Sequence, residues 1–338
     1  MNRVEITTGA RLHFGLLCGP GQQPGNFGGL GMMIRHPGWH IVAEATDDTG
    51  DVVSAEPPGD GDIGEIEARI REVLSTLRTQ NFVSSRSLSV VVRSTIPFHC
   101  GFGAGTQLSL ATAMAATLLD GRPRPDATAL SVVLGRSQRS AIGTFGFEHG
   151  GCLIDDGEGV PSDRSRVCAV PVPDSWRLVI VRRTDRSGLH GSGERAVFAQ
   201  ELQMAPDDLN RMQCLIHDAV IPALHEGDFG TFAAELERYG RIVGEFFASA
   251  QGSCFSDPLV HDIADALHAR QLPGPVQSSW GPAVAVPADS MEHAEEIVRV
   301  VQSAAGNNEV VTRITEPLPH GATIRSTAPE QCSYRTLG

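Results

Sequence analysis

The first half of the chain alternates between segments with strand-like and helix-like hydrophobic patterns. Apolar residues recur at helical spacing between positions 63 and 77, which predicts an amphipathic helix. Residues 87–94 are rich in β-branched side chains and predict a buried strand, whereas residues 106–119 are apolar or small on nearly every side and predict a buried helix. Further strands are predicted over residues 4–8, 11–17, 40–45, 152–154 and 177–182, and a further helix over residues 126–134.

The second half of the chain has more helical patterning. Helices are predicted over residues 207–224, 228–239, 258–269 and 290–304, and strands over residues 276–278, 283–286 and 310–315. This mixture of strands and helices is typical of the α+β class. A length of 338 residues favours two domains. We place the boundary after the strand that ends at residue 182, so the predicted domains are 1–182 and 183–338.

A glycine-rich segment, residues 97–107, joins the predicted strand 87–94 to the predicted helix 106–119. Its glycines stand at every second position, and glycine permits positive φ and close approach of a ligand to the main chain. The first N–H groups of a helix have no intrahelical partners and carry partial positive charge, which favours phosphate. The alternative is an ordinary glycine-rich turn with Thr106 as the helix N-cap. The predicted phosphate-binding residues are Gly101, Gly103, Ala104, Gly105, Thr106 and Gln107.

Composition limits the partners of such a site. The net charge of −13 argues against nucleic acid or an anionic membrane. The sequence contains no lysine, so phosphate must be bound by main-chain N–H groups, arginine or histidine. The seven cysteines are scattered without a C-x-x-C pair, and residues 1–5 lack the apolar core of a signal peptide. Together these features predict reduced thiols and a cytoplasmic protein.

Two pairs of basic residues are candidates for ligand binding. Arg11 and His13 are two positions apart in a predicted strand, so their side chains share one face and could contact one ligand as catalytic groups. The alternative is a solvated polar edge. Arg136 and Arg139, at positions i and i+3, could share a helix face towards phosphate or form an exposed face.

Acidic candidates lie in the glycine-bearing segment 135–151 and directly after it. Glu148 and His149 lie next to glycines and are predicted to form a catalytic acid–base pair, although a lone histidine is more often structural. Asp155 follows an apolar strand and is predicted to hold Mg2+. The plain alternative is a turn that favours aspartate before glycine.

Two motifs of the sequence resemble those of the GHMP kinase superfamily. They are Pro97 with the glycine-rich residues 101–106, and residues 277–282, which read Gln-Ser-Ser-Trp-Gly-Pro. Four segments, residues 10–16, 105–107, 147–151 and 277–282, are similar to one branch, the beta-ribofuranosylaminobenzene 5'-phosphate synthase family. The similarity extends to about residue 286. Phe102 and Ala104 stand where that motif usually has leucine and serine, but the main-chain N–H groups remain.

The resemblance implies a two-domain GHMP-kinase-like fold whose C-terminal domain is ferredoxin-like. It implies a pentosyltransferase that joins phosphoribosyl pyrophosphate to 4-hydroxybenzoate or 4-aminobenzoate and releases CO2 and pyrophosphate, in methanopterin biosynthesis. It also implies Mg2+ as a cofactor and a homodimer. In this chemistry the protein must neutralise the leaving pyrophosphate and make the aryl acceptor electron-rich.

Contacts to these substrates are predicted in three further segments. Trp280 could stack on the benzoate or pack in the core, and the loop that carries His190 and Glu194 could close over the substrate. The predicted substrate-binding residues are Gly28, Gly29, His190, Glu194, Ser278, Ser279, Trp280 and Gly281.

Two other functions stay open from the sequence. The first is an ATP-dependent small-molecule kinase. It is disfavoured because Asp120 and Asp126 are the only acids between Gln107 and Phe147 and lie at the far end of the predicted helix from the phosphate loop. The second is a non-catalytic small-molecule binding protein on the same fold.

Overall fold

The computed structural model describes residues 2–17, 27–56, 62–135, 141–157, 167–188, 197 and 203–327. Four predicted site residues, Arg136, Arg139, His190 and Glu194, lie outside the described residues. No helix in the described ranges is long and apolar enough to cross a membrane.

Seven of the described strands form one sheet. Its main path runs in the order β11-β1-β2-β4-β3, and β5 pairs with β2 and β6 with β5. The pairs are antiparallel except for the parallel pair β3–β4. These strands are β1 (Arg3–Leu17), β2 (Gly28–Ala45), β3 (Val52–Ala55), β4 (Leu88–Ser94), β5 (Cys152–Asp155), β6 (Val167–Val170) and β11 (Thr323–Thr327).

Strand β1 is longer than its hydrophobic pattern indicates. The two predicted strands over residues 4–8 and 11–17 form one strand of 15 residues, which pairs with the 18-residue strand β2 along its whole length. The pairing register shifts between Gly9 and Ala10, and again between His13 and Gly15. Because such irregularities re-aim side chains, the residues of β1 near them, Arg11 and His13, are placed by the sheet as well as by strand alternation.

A second, four-stranded sheet has the order β10-β7-β9-β8. Its strands are β7 (Arg177–Arg183), β8 (Val276–Gln277), β9 (Val284–Ala288) and β10 (Val310–Thr315). The predicted end of the first domain at residue 182 therefore falls inside a strand of this second sheet, because β7 pairs with β9 and β10. The division into domains 1–182 and 183–338 stays a prediction.

The helices cover the two sheets. Helices α1 to α9 are Ile63–Thr79, Ala104–Leu119, Ala127–Val133, Ile142–His149, Pro206–Cys214, Ile221–Glu226, Phe229–Gln251, Leu259–His268 and Met291–Ala305, with a π-helical segment at Leu215–Val220.

In helices α1 and α2 the hydrophobic pattern of the sequence corresponds to the surface that each helix buries. The apolar face of α1, including Ile66, Ile70 and Leu77, is fully buried, as its helical spacing predicts. The carboxylate of Asp62 caps this helix by accepting the N–H of Gly64 at 2.8 Å. Helix α2 is buried on nearly every side, so its N-terminal end is fixed rigidly against the first sheet.

Candidate active site

The glycine-rich loop turns through left-handed backbone conformations before α2 begins. His99, Gly101 and Gly103 have φ values of 57°, 87° and 65°. Helix α2 begins at Ala104, and the N–H groups of Thr106 and Gln107 both donate to the carbonyl of Gly103 at 3.1 Å. Thr106 is therefore not the N-cap, and among the described residues no side chain caps this helix. Glycine at position 103 permits the left-handed backbone conformation there, whereas Gly105 lies within the helix.

Arg11 lies directly against this loop. Its N–H donates to the carbonyl of Phe102 at 2.9 Å, which fixes β1 to the loop. A Cβ atom added to Gly103 would lie 2.9 Å from Nε of Arg11, and one added to Gly143 would lie 3.8 Å from the same Nε. The guanidinium group of Arg11 thus lies between the N-terminal end of α2 and the first turn of α4. This is a position from which a cation reaches an anion bound at α2.

His13 and Ser278 join the loop to the second half of the chain. The N–H of His13 donates to Oγ of Ser278 at 3.0 Å, and the Ser278 hydroxyl donates to the carbonyl of Gly101 at 2.7 Å. The N–H of Ser279 donates to the carbonyl of His13 at 2.7 Å. Ser278 is fully buried, so these hydrogen bonds hold strand, loop and turn together in a dry setting, where their loss is costly.

The imidazole of His13 is uncharged at neutral pH. It is buried, with 5% of its surface exposed. Burial, together with the nearby positive charge of Arg11, holds the pKa of His13 well below its usual 6.5. A neutral imidazole beside a guanidinium group supplies a hydrogen-bonding partner while Arg11 supplies the charge.

Two turns approach the loop closely. A Cβ atom at Gly101 would collide with the carbonyl oxygen of Ser278, and Gly188 donates its N–H to the carbonyl of His99 at 2.7 Å. In the turn after Ser278, Ser279 and Gly281 have φ values of 55° and 65°. The predicted polar segment 278–281 therefore meets the glycine-rich loop, through the Ser278 hydroxyl and through the backbone of the turn.

Helix α1 adds a basic residue that the sequence analysis missed. A Cβ atom at Gly105 would lie 3.9 Å from Cζ of Arg69 and 3.9 Å from Cε1 of Phe98. Arg69 therefore lies beside the first turn of α2, whereas Arg11 lies beside Gly103, the residue before the helix. Arg69 is three residues after the buried Ile66, and a search for arginines beside buried stripes would have found it.

The Glu148–His149 pair is not brought to the loop. Oε2 of Glu148 accepts the N–H of Ala127 at 3.3 Å, and the exposed His149 stacks on Phe145 with ring centroids 6.1 Å apart. Both residues are in the last turn of α4, whereas Arg11 is beside Gly143 in the first turn. Five residues span about 7.5 Å of helix. The predicted acid–base role of this pair is therefore corrected, because its side chains serve the packing of α3 and α4.

Gln107 and Asp155 have structural hydrogen bonds instead of the predicted ligand contacts. The fully buried Gln107 accepts the Thr8 hydroxyl at 2.7 Å and donates to the carbonyl of Gly143 at 2.7 Å. The carboxylate of Asp155, also fully buried, accepts the N–H groups of Ala141 and Gly157, both at 3.1 Å. Since both of its oxygens accept backbone N–H groups, Asp155 organises the start of α4, and its role as a Mg2+ ligand stays a prediction.

Gly28, Gly29 and Trp280 serve packing. A Cβ atom at Gly28 would lie 2.5 Å from the carbonyl oxygen of Asp155, and one at Gly29 would collide with that of Gly15. Glycine at both positions lets β2 fit between β1 and β5. Trp280 is 6% exposed and packs edge-on against Phe247, with centroids 4.9 Å apart, so the core-packing alternative holds for much of its ring.

Comparison with solved structures defines the class of this fold. The chain is similar to homoserine kinase from Cytophaga hutchinsonii, with a TM-score of 0.64 and 15% identity over 96% of this chain and 98% of that one. It is also similar to mevalonate diphosphate decarboxylase from Staphylococcus aureus, with a TM-score of 0.66 and 12% identity over 96% and 98%. The predicted GHMP-kinase-like α+β fold is confirmed.

Sequence relatives define the family within that class. The chain is 32% identical over 294 residues to beta-ribofuranosylphenol 5'-phosphate synthase of Methanothermobacter thermautotrophicus, covering 82% of this chain and 87% of the relative. It is 26% identical over 291 residues to the protein of the same name from Archaeoglobus fulgidus, covering 78% and 88%. The chain belongs to the beta-ribofuranosylphenol 5'-phosphate synthase family, which confirms the predicted family. No protein-family model matches the chain.

Proposed function

We propose that this enzyme is a decarboxylating ribosyltransferase of tetrahydromethanopterin biosynthesis. It joins phosphoribosyl pyrophosphate to 4-hydroxybenzoate or 4-aminobenzoate and gives an aryl C-riboside 5'-phosphate, CO2 and pyrophosphate. The observation that carries the proposal is 32% identity, over 82% of the chain, to a beta-ribofuranosylphenol 5'-phosphate synthase. The word phenol in that name favours the hydroxybenzoate as acceptor.

The bonds of the proposed reaction balance without a protein nucleophile. A bond forms between C1' of the ribose and the ring carbon that bears the carboxylate. The bond from C1' to the pyrophosphate oxygen breaks, and pyrophosphate leaves with that electron pair. The bond from the ring carbon to the carboxylate then breaks, and its electron pair restores aromaticity as CO2 departs.

The residues around the start of α2 support this chemistry because they suit a phosphorylated substrate. The N-terminal end of α2, which has no side-chain cap among the described residues, provides N–H groups and a positive dipole end. Arg11, which lies against Gly103, provides a planar pair of donors for a phosphate or carboxylate. Arg11 therefore binds the anionic substrate, and the neutral His13 beside it orients a bound group by hydrogen bonding.

The proposal includes Mg2+ only as an ion bound to pyrophosphate. The described residues contain no group of three His, Cys, Asp or Glu side chains that could hold a metal ion, and both oxygens of Asp155 bind backbone. We therefore propose that pyrophosphate and water supply most of the ligands of Mg2+, and none of the steps above depends on a protein-bound ion. The proposal also includes a cytoplasmic location and a homodimer. Light scattering of the purified protein would test the homodimer.

Turnover of labelled substrates tests the function. The purified protein is mixed with phosphoribosyl pyrophosphate, Mg2+ and carboxyl-labelled 4-hydroxybenzoate, and released CO2 and pyrophosphate are measured. We expect the two products in equal amounts without consumption of ATP, and a parallel reaction with 4-aminobenzoate ranks the acceptors. A phosphorylated product made from ATP without CO2 would instead establish the kinase. Thermal stabilisation by phosphoribosyl pyrophosphate with no product would establish a binding protein.

A further inference from the structure

A cleft of about 730 Å³ opens between the segment that follows β7, the end of α7 and the turn at residues 280–282. This volume is within the roughly 300–1,000 Å³ range of small-molecule sites. None of the functional groups assigned above accounts for it, apart from the partly core-packed Trp280.

The cleft adjoins the phosphate loop. Gly188, which lines it, donates its N–H to the carbonyl of His99 at 2.7 Å. A Cβ atom at Gly188 would collide with the carbonyl oxygen of Gly281, so the two walls meet closely beside the loop. A ligand in the cleft is therefore next to a phosphorylated substrate bound at α2.

The walls suit a flat aromatic ring. Trp280, Pro282 and Ala250, the last of these on α7, contribute apolar surface to the lining. The Trp280 ring is held in place by its edge-on contact with Phe247 at 4.9 Å. The small exposed part of this immobile tryptophan can contact a ligand without a further loss of side-chain entropy.

One polar group in the lining points to a hydrogen-bonding ligand. The Oγ atom of Ser256 is buried, and within the described part of the chain it has no hydrogen-bond partner. Its own backbone is fixed, because the N–H of Ser256 donates to Oε1 of Gln277 at 2.7 Å. Gln277 is in turn fixed by donating to Oε1 of Gln251 at 2.9 Å. A buried hydroxyl on a fixed backbone is costly unless a ligand or water pairs with it.

The charge of the lining favours an anion. Asp185 and Arg186 are its charged residues. Nε of Arg183 donates to Oδ1 of Asp185 at 2.8 Å, which neutralises that carboxylate. The exposed Arg186 is then the cation at the cleft. Its solvated guanidinium attracts an anion to the cleft without holding it in a buried ion pair.

We propose that this cleft binds the aromatic acid acceptor and that Ser256 Oγ hydrogen-bonds to its para substituent. The inference rests on the proposed function. The ring carbon that bears the carboxylate must face the ribose C1' held at the phosphate loop, so the para hydroxyl or amino group is at the opposite end of the ring. Ser256 is thereby a residue that determines acceptor specificity, acting on the group that makes the ring electron-rich.

Binding of two ligands that differ only in the para group tests the proposal. Titration calorimetry with 4-hydroxybenzoate and benzoate, in the presence of pyrophosphate, is done on the wild type, Ser256→Ala and the control Ser253→Ala. Ser253 is near in sequence, but its hydroxyl donates to the carbonyl of Phe255. We expect Ser256→Ala to weaken 4-hydroxybenzoate about 10-fold, the value of one buried hydrogen bond, and to leave benzoate unchanged.

A second variant separates the charge from the hydrogen bond. Arg186→Gln should weaken both acids by a similar factor of about 3, and the loss should shrink at high salt. Steady-state kinetics should show a raised KM for the acceptor in both variants and an unchanged KM for phosphoribosyl pyrophosphate.

Three results would overturn the inference: an unchanged preference for 4-hydroxybenzoate in Ser256→Ala, equal weakening of both acids by that variant, or a raised KM for phosphoribosyl pyrophosphate alone. The function and this inference fail separately. Normal release of CO2 with no Ser256 effect removes only the inference. Ser256-dependent binding of 4-hydroxybenzoate by a protein that releases no CO2 removes only the function.

Discussion

Two polar pairs, Arg11–His13 on β1 and Glu148–His149 at the end of α4, have very different surroundings. Arg11 contacts the glycine-rich loop and His13 contacts the 278–281 turn. More than two hundred residues separate His13 from that turn in the sequence. Glu148 contacts the start of the neighbouring α3, and His149 stacks on Phe145 in its own helix.

The difference shows what makes a polar pair a site in this fold. Both pairs lie within two positions of glycines on either side in the sequence. At Arg11–His13 the close backbone approaches at Gly101 and Gly103 bring three distant segments together around a partly buried charge. At Glu148–His149 the glycines only allow chain packing. Four predictions test this contrast, in order of decreasing effect.

The largest effect is expected where loop and Arg11 meet. Gly103→Ala places a Cβ atom 2.9 Å from Nε of Arg11 on a backbone with φ of 65°. We expect kcat/KM to fall about 100- to 1000-fold, because the side chain both displaces Arg11 and strains the left-handed turn. The matched variant is Gly105→Ala, where the nearest atoms are 3.9 Å away. It should retain activity within about 3-fold, since alanine favours the helix. Equal losses in the two variants would contradict the assigned contact.

The second effect concerns the shape of the cation. Arg11→Lys keeps the charge but loses the planar pair of donors, so we expect kcat/KM to fall about 10- to 100-fold, equal to roughly 1.4–2.7 kcal/mol. The melting temperature should hardly change. Arg3→Lys, on the same strand but paired at the surface with Glu44, is the control for stability and activity. Near-normal kinetics for Arg11→Lys would make Arg11 a merely structural charge.

The third effect is a pH dependence of stability at His13. The unfolded chain takes up a proton at His13 below about pH 6.5, whereas the folded protein, in which the pKa is held well below 6.5, does not. The unfolded state then binds more protons, so the free energy of unfolding falls as pH falls, by up to about 1.4 kcal/mol between pH 7.5 and 5.5 for this residue.

Urea unfolding at pH 7.5 and 5.5 measures this contribution of His13 to the free energy of unfolding. His13→Gln should lose less stability between pH 7.5 and 5.5 than the wild type. An identical pH dependence in His13→Gln and the wild type would contradict the prediction, because it would mean that His13 takes up protons equally in the folded and unfolded protein.

The smallest effect is expected at the other pair. Glu148→Gln and His149→Gln should each keep kcat/KM within about 3-fold of the wild type, because neither side chain lies at the loop. Steady-state kinetics with 4-hydroxybenzoate checks this. A loss as large as that of Arg11→Lys would restore the acid–base pair of the sequence analysis.

Local patterns predicted much of the fold. The helical spacing before residue 77 and the all-round apolar character of residues 106–119 correspond to α1 and α2, because each pattern has a single way to bury its apolar surface. The pattern did not show that β1 and β2 are so long. Strand β2 contains the glycine-rich stretch 28–31, which forms strand here because neighbouring backbone carbonyls approach too closely for side chains.

The sequence by itself determined the chemistry available to this protein. Without lysine, an anion site must use arginine and main-chain N–H groups, and the spacing of the glycines marked the loop where they are. Only the tertiary structure decided which polar residues serve that site. Asp155 accepts backbone N–H groups, and Gln107 bonds to the Thr8 hydroxyl and a backbone carbonyl. Glu148 contacts the start of α3, and His149 stacks on Phe145 of its own helix. Arg69 lies beside the loop and Ser256 lines the neighbouring cleft. The physical reason is that a hydrogen-bonding partner from a distant segment, which no local pattern reveals, fixes what each buried polar side chain can do.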